Sequence, residues 1–420
     1  MHDASYSMTF IEKDIRENAY YESDKRYIMR FPRLVLTPIG IWPLLKGQVS
    51  KTEKFLSFIF LLTCFVLMCF ILIPSTINIL VFENDINILM KNIGPTIFCF
   101  SSAIKYFYFV WHRQDFRICI EYVENDWKAV REKKDRIIML KYAILSRRLT
   151  KLSAIFLYVG GISFHTIMPF IAGRHFVGNV TVKTLIYNGY DIFFDYQTSP
   201  TYEIVLSIHC FTAVIMYNIT TASCSLAAVF VTHVCARIEI VMSRINDLVD
   251  DTSDNYKYIS YRLATIVREH VNVLRFAKII ERVLREICLF ELVVSSLTTC
   301  LLEYHCITEW ENSDGVAISI YFILFISLSF NIFIFCYIGE LLVEKCSQVA
   351  QACYNNRWYY LSKKKALDFL LITMISQYPP KITAGKIVEL SLYTFGKVLN
   401  TSFVYLNVLR TITKENISIS

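Results

Sequence analysis

The sequence has 420 residues, of which 55% are hydrophobic and only 19% are charged, and its mean hydropathy is +0.42. Soluble domains carry about a quarter charged residues, so this composition indicates a protein whose solvent is a lipid bilayer. The net charge of +7 is modest for a nucleic-acid-binding protein. The 13 cysteines lack the spacing of a zinc site, which argues against a metal or cofactor site. The sequence has no P-loop, HExxH or Gly-x-Ser-x-Gly motif, which argues against an enzyme.

The N-terminal segment, 1–54, is polar and lacks the apolar core and cleavage site of a signal peptide. Four stretches without any charge exceed the ~20 apolar residues that cross the hydrocarbon core, namely 55–82, 152–173, 204–236 and 315–339. Three weaker candidates carry charges: 86–111 with Lys91 and Lys105, 287–307 with Glu291 and Glu303, and 387–412 with Glu389, Lys397 and Arg410. We expect Glu291 and Glu303, near the ends of their span, to reach water.

The basic residues are distributed unevenly along the chain. Of 43 Lys and Arg residues, 36 lie in the segments 1–54, 112–151, 237–285 and 341–387, and only 4 lie in the remaining connections. Because loops rich in Lys and Arg stay in the cytosol, these four segments should share one side, which requires spans at 86–111 and 287–307. We therefore predict an all-α polytopic membrane protein with seven transmembrane helices, a cytosolic N-terminus and an extracellular C-terminus. A G-protein-coupled receptor has the opposite orientation.

The cytosolic connections show helical periodicity. Ile238, Val241, Ile245 and Leu248 repeat on one helical face before the turn-like segment 250–255. We interpret 112–151 and 237–285 as cytosolic extensions of the spanning helices, with an amphipathic helix on the inner leaflet as the alternative. The outward loop 173–200 contains Asn179-Val180-Thr181, a candidate glycosylation site.

These segments define the predicted organisation of the chain. A cytosolic N-terminal segment, 1–54, precedes a bundle of six transmembrane helices, 55–338. A cytosolic region, 339–387, leads to a seventh helix, 388–412, and an extracellular tail, 413–420.

Several motifs resemble those of insect odorant receptors. They are Gly40-Ile41-Trp42-Pro43 before the first span; Asp195-Tyr196-Gln197 with Ser199-Pro200-Thr201-Tyr202-Glu203, as in hymenopteran members; His270; and, after Gly339-Glu340, the passages Ala352-Cys353-Tyr354, Ala384-Gly385-Lys386 and Ser402-Phe403-Val404-Tyr405. Gustatory receptors share the fold, but their Thr-Tyr and Gln-Phe signature is absent here, because Ser402 follows Thr401. A gustatory-type channel is therefore the nearest alternative, and a secondary transporter is a more distant one, since the chain has few glycines and no internal repeat.

The resemblance implies a specific function. Insect odorant receptors form tetrameric, nonselective cation channels with an olfactory co-receptor, in the cell membrane of sensory neuron dendrites. Each subunit contributes its last helix to the pore, and the cytosolic ends of helices four to seven form an anchor between subunits, which here corresponds to 339–387. A small volatile ligand is expected in the outer half of the bundle. Independently of the resemblance, the run Lys363-Lys364-Lys365 is expected to be solvated or to contact anionic membrane lipids of the inner leaflet.

The resemblance also suggests individual residues. Alignment of the last helix places Val408 and Ile412 at an apolar pore gate, and their spacing puts them on one helical face. Lys397 in the same helix is expected to extend to the membrane interface. The candidates for the ligand pocket are apolar or aromatic residues near the outer ends of the second, third, fourth and sixth helices: Met90, Ile93, Phe164, Met168, Leu206, Phe211, Tyr321 and Phe325. His165 and His209 could tune the polarity of the pocket, but we favour hydrogen-bonded, structural roles for both histidines.

Overall fold

The computed structural model describes residues 18–47, 49–82, 86–171, 174–177, 180–250, 256–311, 314–356, 358–360 and 362–419. Within these ranges the chain forms eleven α-helices and two antiparallel hairpins. In chain order the helices are α1 (Tyr21–Leu36), α2 (Trp42–Leu45), α3 (Lys51–Ile77), α4 (Ile86–Trp111), α5 (Arg113–Ala129), α6 (Lys133–Ile171), α7 (Thr201–Asp250), α8 (Tyr256–Glu311), α9 (Gly315–Asn355), α10 (Lys363–Ser376) and α11 (Leu392–Ile419). The hairpins pair β1 (Arg174–Val177) with β2 (Val180–Lys183), and β3 (Thr383–Ala384) with β4 (Val388–Glu389).

Six helices in the described part of the chain are long and apolar enough to cross a bilayer: Lys51–Phe82, Ile88–Trp111, Lys133–Phe170, Thr201–Leu248, Ile259–Trp310 and Gly315–Asn355. They include both spans that the distribution of basic residues required, and they confirm the predicted all-α, polytopic membrane fold. The last helix, α11, has 28 residues but does not belong to this apolar set. Its role as a seventh span, and the orientation of the termini, stay predictions.

The longest helices extend well beyond the thickness of a membrane. The apolar helices within α7 and α8 have 48 and 52 residues, whereas about 20 residues cross the hydrocarbon core. Helix α7 ends at Asp250 and α8 begins at Tyr256, on either side of the predicted break. The predicted helical extension over 237–285 therefore has its counterpart in the ends of α7 and α8, while its cytosolic location stays a prediction.

Helix α7 lies at the centre of the bundle. In its most apolar window 89% of the residues are buried, compared with 22% in α3, which lies at the periphery. The segment 220–228 reads Thr-Thr-Ala-Ser-Cys-Ser-Leu-Ala-Ala and is fully buried. Small side chains allow neighbouring helices to approach closely, which is how helices pack in a membrane, where apolar surface gains little from burial. The small residues of α7 therefore explain its central position.

A tight hairpin positions the last helix. The β3–β4 turn contains Gly385 and Lys386, both at a φ of 61°, and the Gly385 amide donates a 3.1 Å hydrogen bond to the carbonyl of Arg285 in α8. A side chain at Gly339 in α9 would overlap the backbone of Leu390, so glycine permits the chain to cross α9 closely. Helix α11 therefore starts from a point held by both α8 and α9.

Candidate ligand-binding cavity

A buried cavity lies among five of the membrane-length helices, towards the end of the bundle at which α4 begins. Its volume is about 70 Å³. The apolar wall is formed by Phe98 of α4, Leu157 and Phe164 of α6, Leu301 and Leu302 of α8, and Tyr321, Leu324 and Leu328 of α9. The polar residues that line it are Lys91, His165, Tyr187, Tyr217, Thr298 and His305. An apolar chamber with few polar groups is the usual form of a small-molecule site.

His165 is the centre of the polar group on one wall. Its Nδ1 donates to the carbonyl of Gly161 at 3.0 Å, and its Nε2 accepts from the Tyr187 hydroxyl at 3.3 Å. The Tyr217 hydroxyl lies 2.9 Å from the same Nδ1. A methyl group at position 161 would overlap the Tyr217 ring, so this glycine makes room for the tyrosine. His165 is thus held in a defined orientation by its neighbours, as a polar group in a binding wall must be.

Helix α8 forms the opposite wall. Thr298, Leu301, Leu302 and His305 follow the i, i+3, i+4, i+7 spacing of one helical face. The Nε2 of His305 donates to the carbonyl of Met90 at 3.2 Å, and its ring stacks on Tyr321 with 5.0 Å between ring centroids. Sequence reasoning missed this wall because only the second, third, fourth and sixth helices were expected to contribute. It also missed Tyr187, which lies in a loop.

The eight predicted pocket residues occupy different environments. Phe164 and Tyr321 line the cavity, and their ring centroids are 6.1 Å apart. Met168 and Phe325 pack against the same apolar cluster without lining the cavity, and Met90 and Ile93 adjoin lining residues of α4. Leu206 belongs to a separate cluster with Tyr190 and Val205, so it does not meet the others.

Two further candidates lie outside the cavity lining. Phe211 is 59% exposed and borders a shallow surface groove with Leu67 and Ile204. His209 does not line the cavity: its Nε2 lies 2.9 Å from the Tyr190 hydroxyl, and its ring packs behind the lining residue Tyr187 with 5.1 Å between ring centroids. The glycosylation candidate Asn179 lies outside the described residues.

A buried ion pair lies directly beyond the cavity. The Lys105 ammonium of α4 donates to Glu291 of α8 at 2.7 Å and to the Thr220 hydroxyl of α7 at 3.1 Å. Asn331 of α9 donates to the other Glu291 oxygen and accepts from Ser153 of α6 at 3.2 Å. The expectation that Glu291 reaches water was wrong, because its side chain is only 5% exposed and is neutralised within the bundle.

This pair joins five helices and adjoins the cavity. The Lys105 ammonium lies 6.0 Å from the centroid of the Phe98 ring, which lines the cavity. A charged residue inside a membrane span is costly unless a partner and further hydrogen bonds satisfy it. The ion pair therefore fixes how the five helices are arranged around the cavity floor.

A second buried carboxylate connects the cavity wall to the last helix. The Ser402 hydroxyl of α11 lies 2.8 Å from a carboxylate oxygen of Glu303 in α8 and also 2.8 Å from the carbonyl of Leu399 within α11, so its single proton is shared between two acceptors. Glu303 is only 7% exposed, which again contradicts the expectation that it reaches water. Glu303 is adjacent to Leu302, which lines the cavity. The predicted gate residue Val408 follows Ser402 on α11 and is 51% exposed in the single chain. The side chain of Ile412, the other gate candidate, lies outside the described part of the structure.

Comparison with known proteins identifies the family. The family model "7tm Odorant receptor" matches residues 85–403. Odorant receptor 67c of Drosophila melanogaster is 26% identical over 191 residues, which cover 46% of each chain. Odorant receptor 13a of the same species is 26% identical over 240 residues, which cover 53% of this chain and 57% of that one. The chain thus matches about half the length of these curated relatives. Odorant receptor Or2 of Anopheles gambiae is 22% identical over 337 residues, or 78% of this chain and 85% of that one.

A solved structure shares the whole fold. The insect olfactory receptor OR5 from Machilis hrabei, in complex with eugenol, superposes with a TM-score of 0.79 at 16% identity, covering 94% of this chain and 100% of that one. The relatives are receptors and not enzymes, as predicted, and the odorant branch rather than the gustatory one is confirmed. The hymenopteran affinity stays a prediction. With three quarters of its length matched by the family model, the chain belongs to the insect odorant receptor family, whose members are multi-pass membrane receptors.

Proposed function

We propose that this chain is the odorant-sensing subunit of a cation channel that it forms with an olfactory co-receptor. The observation that carries the proposal is the buried cavity whose α8 wall is hydrogen-bonded, through Glu303, to Ser402 of the last helix. A ligand that displaces α8 would act on α11 through this contact. The relative OR5 is a receptor solved with eugenol, a small organic molecule, which supports a ligand of this class here.

The lining of the cavity favours a small, uncharged ligand. Its walls are mostly aromatic and aliphatic, and the charged lining residue, Lys91, is paired with Glu309 at 3.3 Å. A charged ligand would lose its hydration without gaining a free partner of opposite charge. A hydroxyl, ether or carbonyl group could instead exchange hydrogen bonds with Tyr217, Tyr187 or Thr298.

Ligand binding requires the cavity to expand. A volume of about 70 Å³ is smaller than the ~150 Å³ cavity that accommodates benzene in other proteins. Side chains such as Phe98 and Phe164 must therefore move when an odorant enters. Since interiors are close-packed, that movement is transmitted to the helices that carry them.

The exposed surface of α11 fits a helix that faces other subunits. Phe403, Val404, Tyr405 and Val408 are each at least 50% exposed in the single chain. We propose that α11 is the seventh span and lines the pore, with Val408 and Ile412 forming an apolar ring that closes it by excluding water. Lys397 is exposed near the start of the same helix, where it can extend to the interface.

The helix α10 supplies a second surface for assembly. Leu367, Leu370, Leu371, Met374 and Ile375 are between 46% and 57% exposed, although α10 is not one of the membrane-length apolar helices. An apolar patch of this kind marks an interaction surface. We propose that the region 339–387 is the anchor that contacts the co-receptor, on the cytosolic side of the cell membrane of sensory dendrites, with the N-terminus in the cytosol and the C-terminus outside.

The decisive experiment is electrophysiology on cells that express the chain with and without the co-receptor. A panel of volatiles should evoke a nonselective cation current only in the co-expressing cells, without added nucleotide or G protein. A robust current from the chain alone would contradict the co-receptor requirement. Solute uptake without current would favour the transporter alternative.

A further inference from the structure

A large basic groove lies between α1, α5 and α6, and none of its lining residues lines the cavity. Its volume is about 1210 Å³. Six cationic side chains line it, which are Lys25, Arg26, Arg30, Arg33, Lys46 and Arg147, together with the three acidic residues Glu22, Glu121 and Glu124. None of the residues assigned to ligand binding or the pore lies in this groove. Its function is therefore open.

Most of the positive charge in the groove is not neutralised. Glu124 pairs with Lys25 at 2.8 Å, and Glu121 pairs with Arg117 at 2.7 Å, so two of the three acids are already occupied. Arg26, Arg30 and Arg33 are exposed, and none of them forms an ion pair with a residue that the structure describes. Their i, i+4, i+7 spacing places them on one face of α1, opposite the buried face of that helix. The groove thus presents a row of free guanidinium groups.

Arg147 of α6 adds a cation in a fixed orientation. Its guanidinium carbon lies 3.8 Å from the centroid of the Tyr27 ring and 5.7 Å from that of Phe31. Stacking on an aromatic face holds the planar group still while its N–H donors stay available at the edge. A preorganised guanidinium loses less entropy when it binds an anion with two parallel hydrogen bonds.

The position of the groove relative to α3 indicates the level of the membrane surface. Gly40, at a φ of +74°, accepts a hydrogen bond from the Ser57 hydroxyl, and a side chain there would lie 2.8 Å from the Ser57 carbonyl. The groove-lining residues Pro38 and Lys46 flank this contact. The exposed apolar surface of α3 starts at the same depth, with Phe55 at 68% and Phe58 at 62% exposure. The groove therefore opens where lipid-facing surface begins, which is the level of the lipid headgroups.

We propose that this groove binds the headgroup of a phospholipid that carries several phosphates, such as a polyphosphoinositide, from the leaflet on the N-terminal side of the bundle. Arginine pairs with phosphate through two parallel hydrogen bonds, and a row of three arginines with Arg147 and Lys46 matches a ligand with more than one phosphate. A zwitterionic headgroup carries its own cation and gains little from a groove with net positive charge.

The proposal is tested by binding of a fluorescent, short-chain phosphatidylinositol 4,5-bisphosphate to the full-length receptor in nanodiscs of neutral lipid. We expect the triple variant Arg26→Gln, Arg30→Gln, Arg33→Gln to bind at least ~10-fold more weakly, because each cation near the surface contributes to attraction of anionic lipid. Arg148→Gln removes an exposed arginine of α6 that does not line the groove, and its affinity should be unchanged. Equal binding by the triple variant, or an equal loss in Arg148→Gln, would overturn the proposal.

Two further arms make the result decisive. Soluble inositol 1,4,5-trisphosphate should compete at least ~10-fold less well than the lipid, since it lacks the acyl chains that the membrane position of the groove requires. Equal competition would mean that the groove binds a soluble phosphate compound, and the assignment to a lipid would be rejected. If the triple variant elutes as an aggregate in size-exclusion chromatography, Lys46→Gln, which leaves α1 intact, replaces it and should weaken binding severalfold. This assay reports on the groove alone, so its outcome is independent of odorant binding and channel opening.

Discussion

The Ser402 hydroxyl lies 2.8 Å from the carboxylate of Glu303, and this hydrogen bond joins the helix that borders the cavity to the last helix of the chain. Both residues are buried, at 0% and 7% exposure, so water does not compete for the contact. If α8 moves when a ligand binds, this contact would couple the movement to α11. Neither side chain lines the cavity, so the contact can be removed without changing the cavity lining.

We expect Ser402→Ala to weaken the link between ligand binding and channel opening. The loss of a hydrogen bond worth about 1 kcal/mol should raise the odorant concentration for half-maximal current by roughly 5-fold, while direct odorant binding stays unchanged. Thr401→Ala is the matched control, because the Thr401 hydroxyl only donates to the carbonyl of Lys397 within α11. Identical dose–response curves for the two variants would contradict a role for the contact in gating.

Breaking the ion pair between Lys105 and Glu291 should destabilise the bundle severely. Lys105→Met leaves an uncompensated carboxylate, and removal of one partner of a buried pair costs about 3–5 kcal/mol. We expect surface expression and thermal stability in detergent to fall sharply. The double variant Lys105→Met, Glu291→Leu should recover a large part of both.

The control for that experiment is Lys134→Met, which breaks an ion pair with Asp247 at 2.6 Å. Both side chains of this pair are at least 50% exposed, and exposed pairs contribute about 1 kcal/mol or less. Its expression should resemble that of the unmodified receptor. A double variant no better expressed than Lys105→Met would show that the network matters for reasons other than charge compensation.

The cavity assignment predicts different effects for two neighbouring residues of α6. Phe164→Ala removes a ring that lines the cavity and should shift the preference towards larger odorants, changing half-maximal concentrations by about 10-fold. Met168→Ala removes a side chain that packs nearby without lining the cavity, so the rank order of odorants should be kept. Responses to a graded series of volatiles measure both. The same rank order in both variants would count against this cavity as the ligand site.

The pore assignment is tested with cysteine substitutions in α11. If Val408 and Ile412 form the gate, thiol reagents applied from outside should block current through Val408→Cys far more than through Leu409→Cys, because adjacent residues point about 100° apart on a helix. A small polar residue at Val408 should raise basal current, since water would remain in the constriction. Insensitivity at both positions, with normal surface expression, would remove the assignment of this helical face.

The proposed orientation predicts which terminus can be labelled on intact cells. An epitope at the C-terminus should be stained without permeabilisation, and one at the N-terminus should be stained only after it. The physical reason is the concentration of 36 basic residues in the segments assigned to the cytosol. The reverse pattern of staining would reject the orientation and, with it, the cytosolic anchor.

The membrane-length helices were largely predictable, because charge-free stretches and the positions of basic residues are local properties. The spans 86–111 and 287–307 have low hydropathy because they carry charged residues, and the fold shows how these charges are neutralised. Lys105 and Glu291 lower the hydropathy of their own segments, yet they neutralise each other across 186 residues of sequence. Glu303 and its partner Ser402 are similarly separated by 99 residues. No local pattern in the sequence indicates such pairs.

The cavity was less predictable than the helices. Phe164 and Phe211 are aromatic residues of membrane spans, but one lines the cavity and the other is exposed on the outer surface of the bundle. In a bilayer both faces of a helix can be apolar, so hydrophobic periodicity does not distinguish the inner face from the lipid-facing one. The loop residue Tyr187 was missed because its role depends entirely on the position of His165.

The Tyr217 ring packs over Gly161, and this fit limits which pairs of residues can occupy positions 161 and 217. The ring occupies the space that a side chain at position 161 would need, so the two positions share one volume. A receptor with alanine or a larger residue at the first position needs a smaller residue at the second, and the hydroxyl near His165 is then lost as well. A larger residue at position 161 in α6 together with a smaller one at position 217 in α7 would thus change both the shape and the polarity of the cavity. If this chamber binds the odorant, as proposed, the preference would change through paired replacements at these two positions rather than through gradual remodelling of the wall.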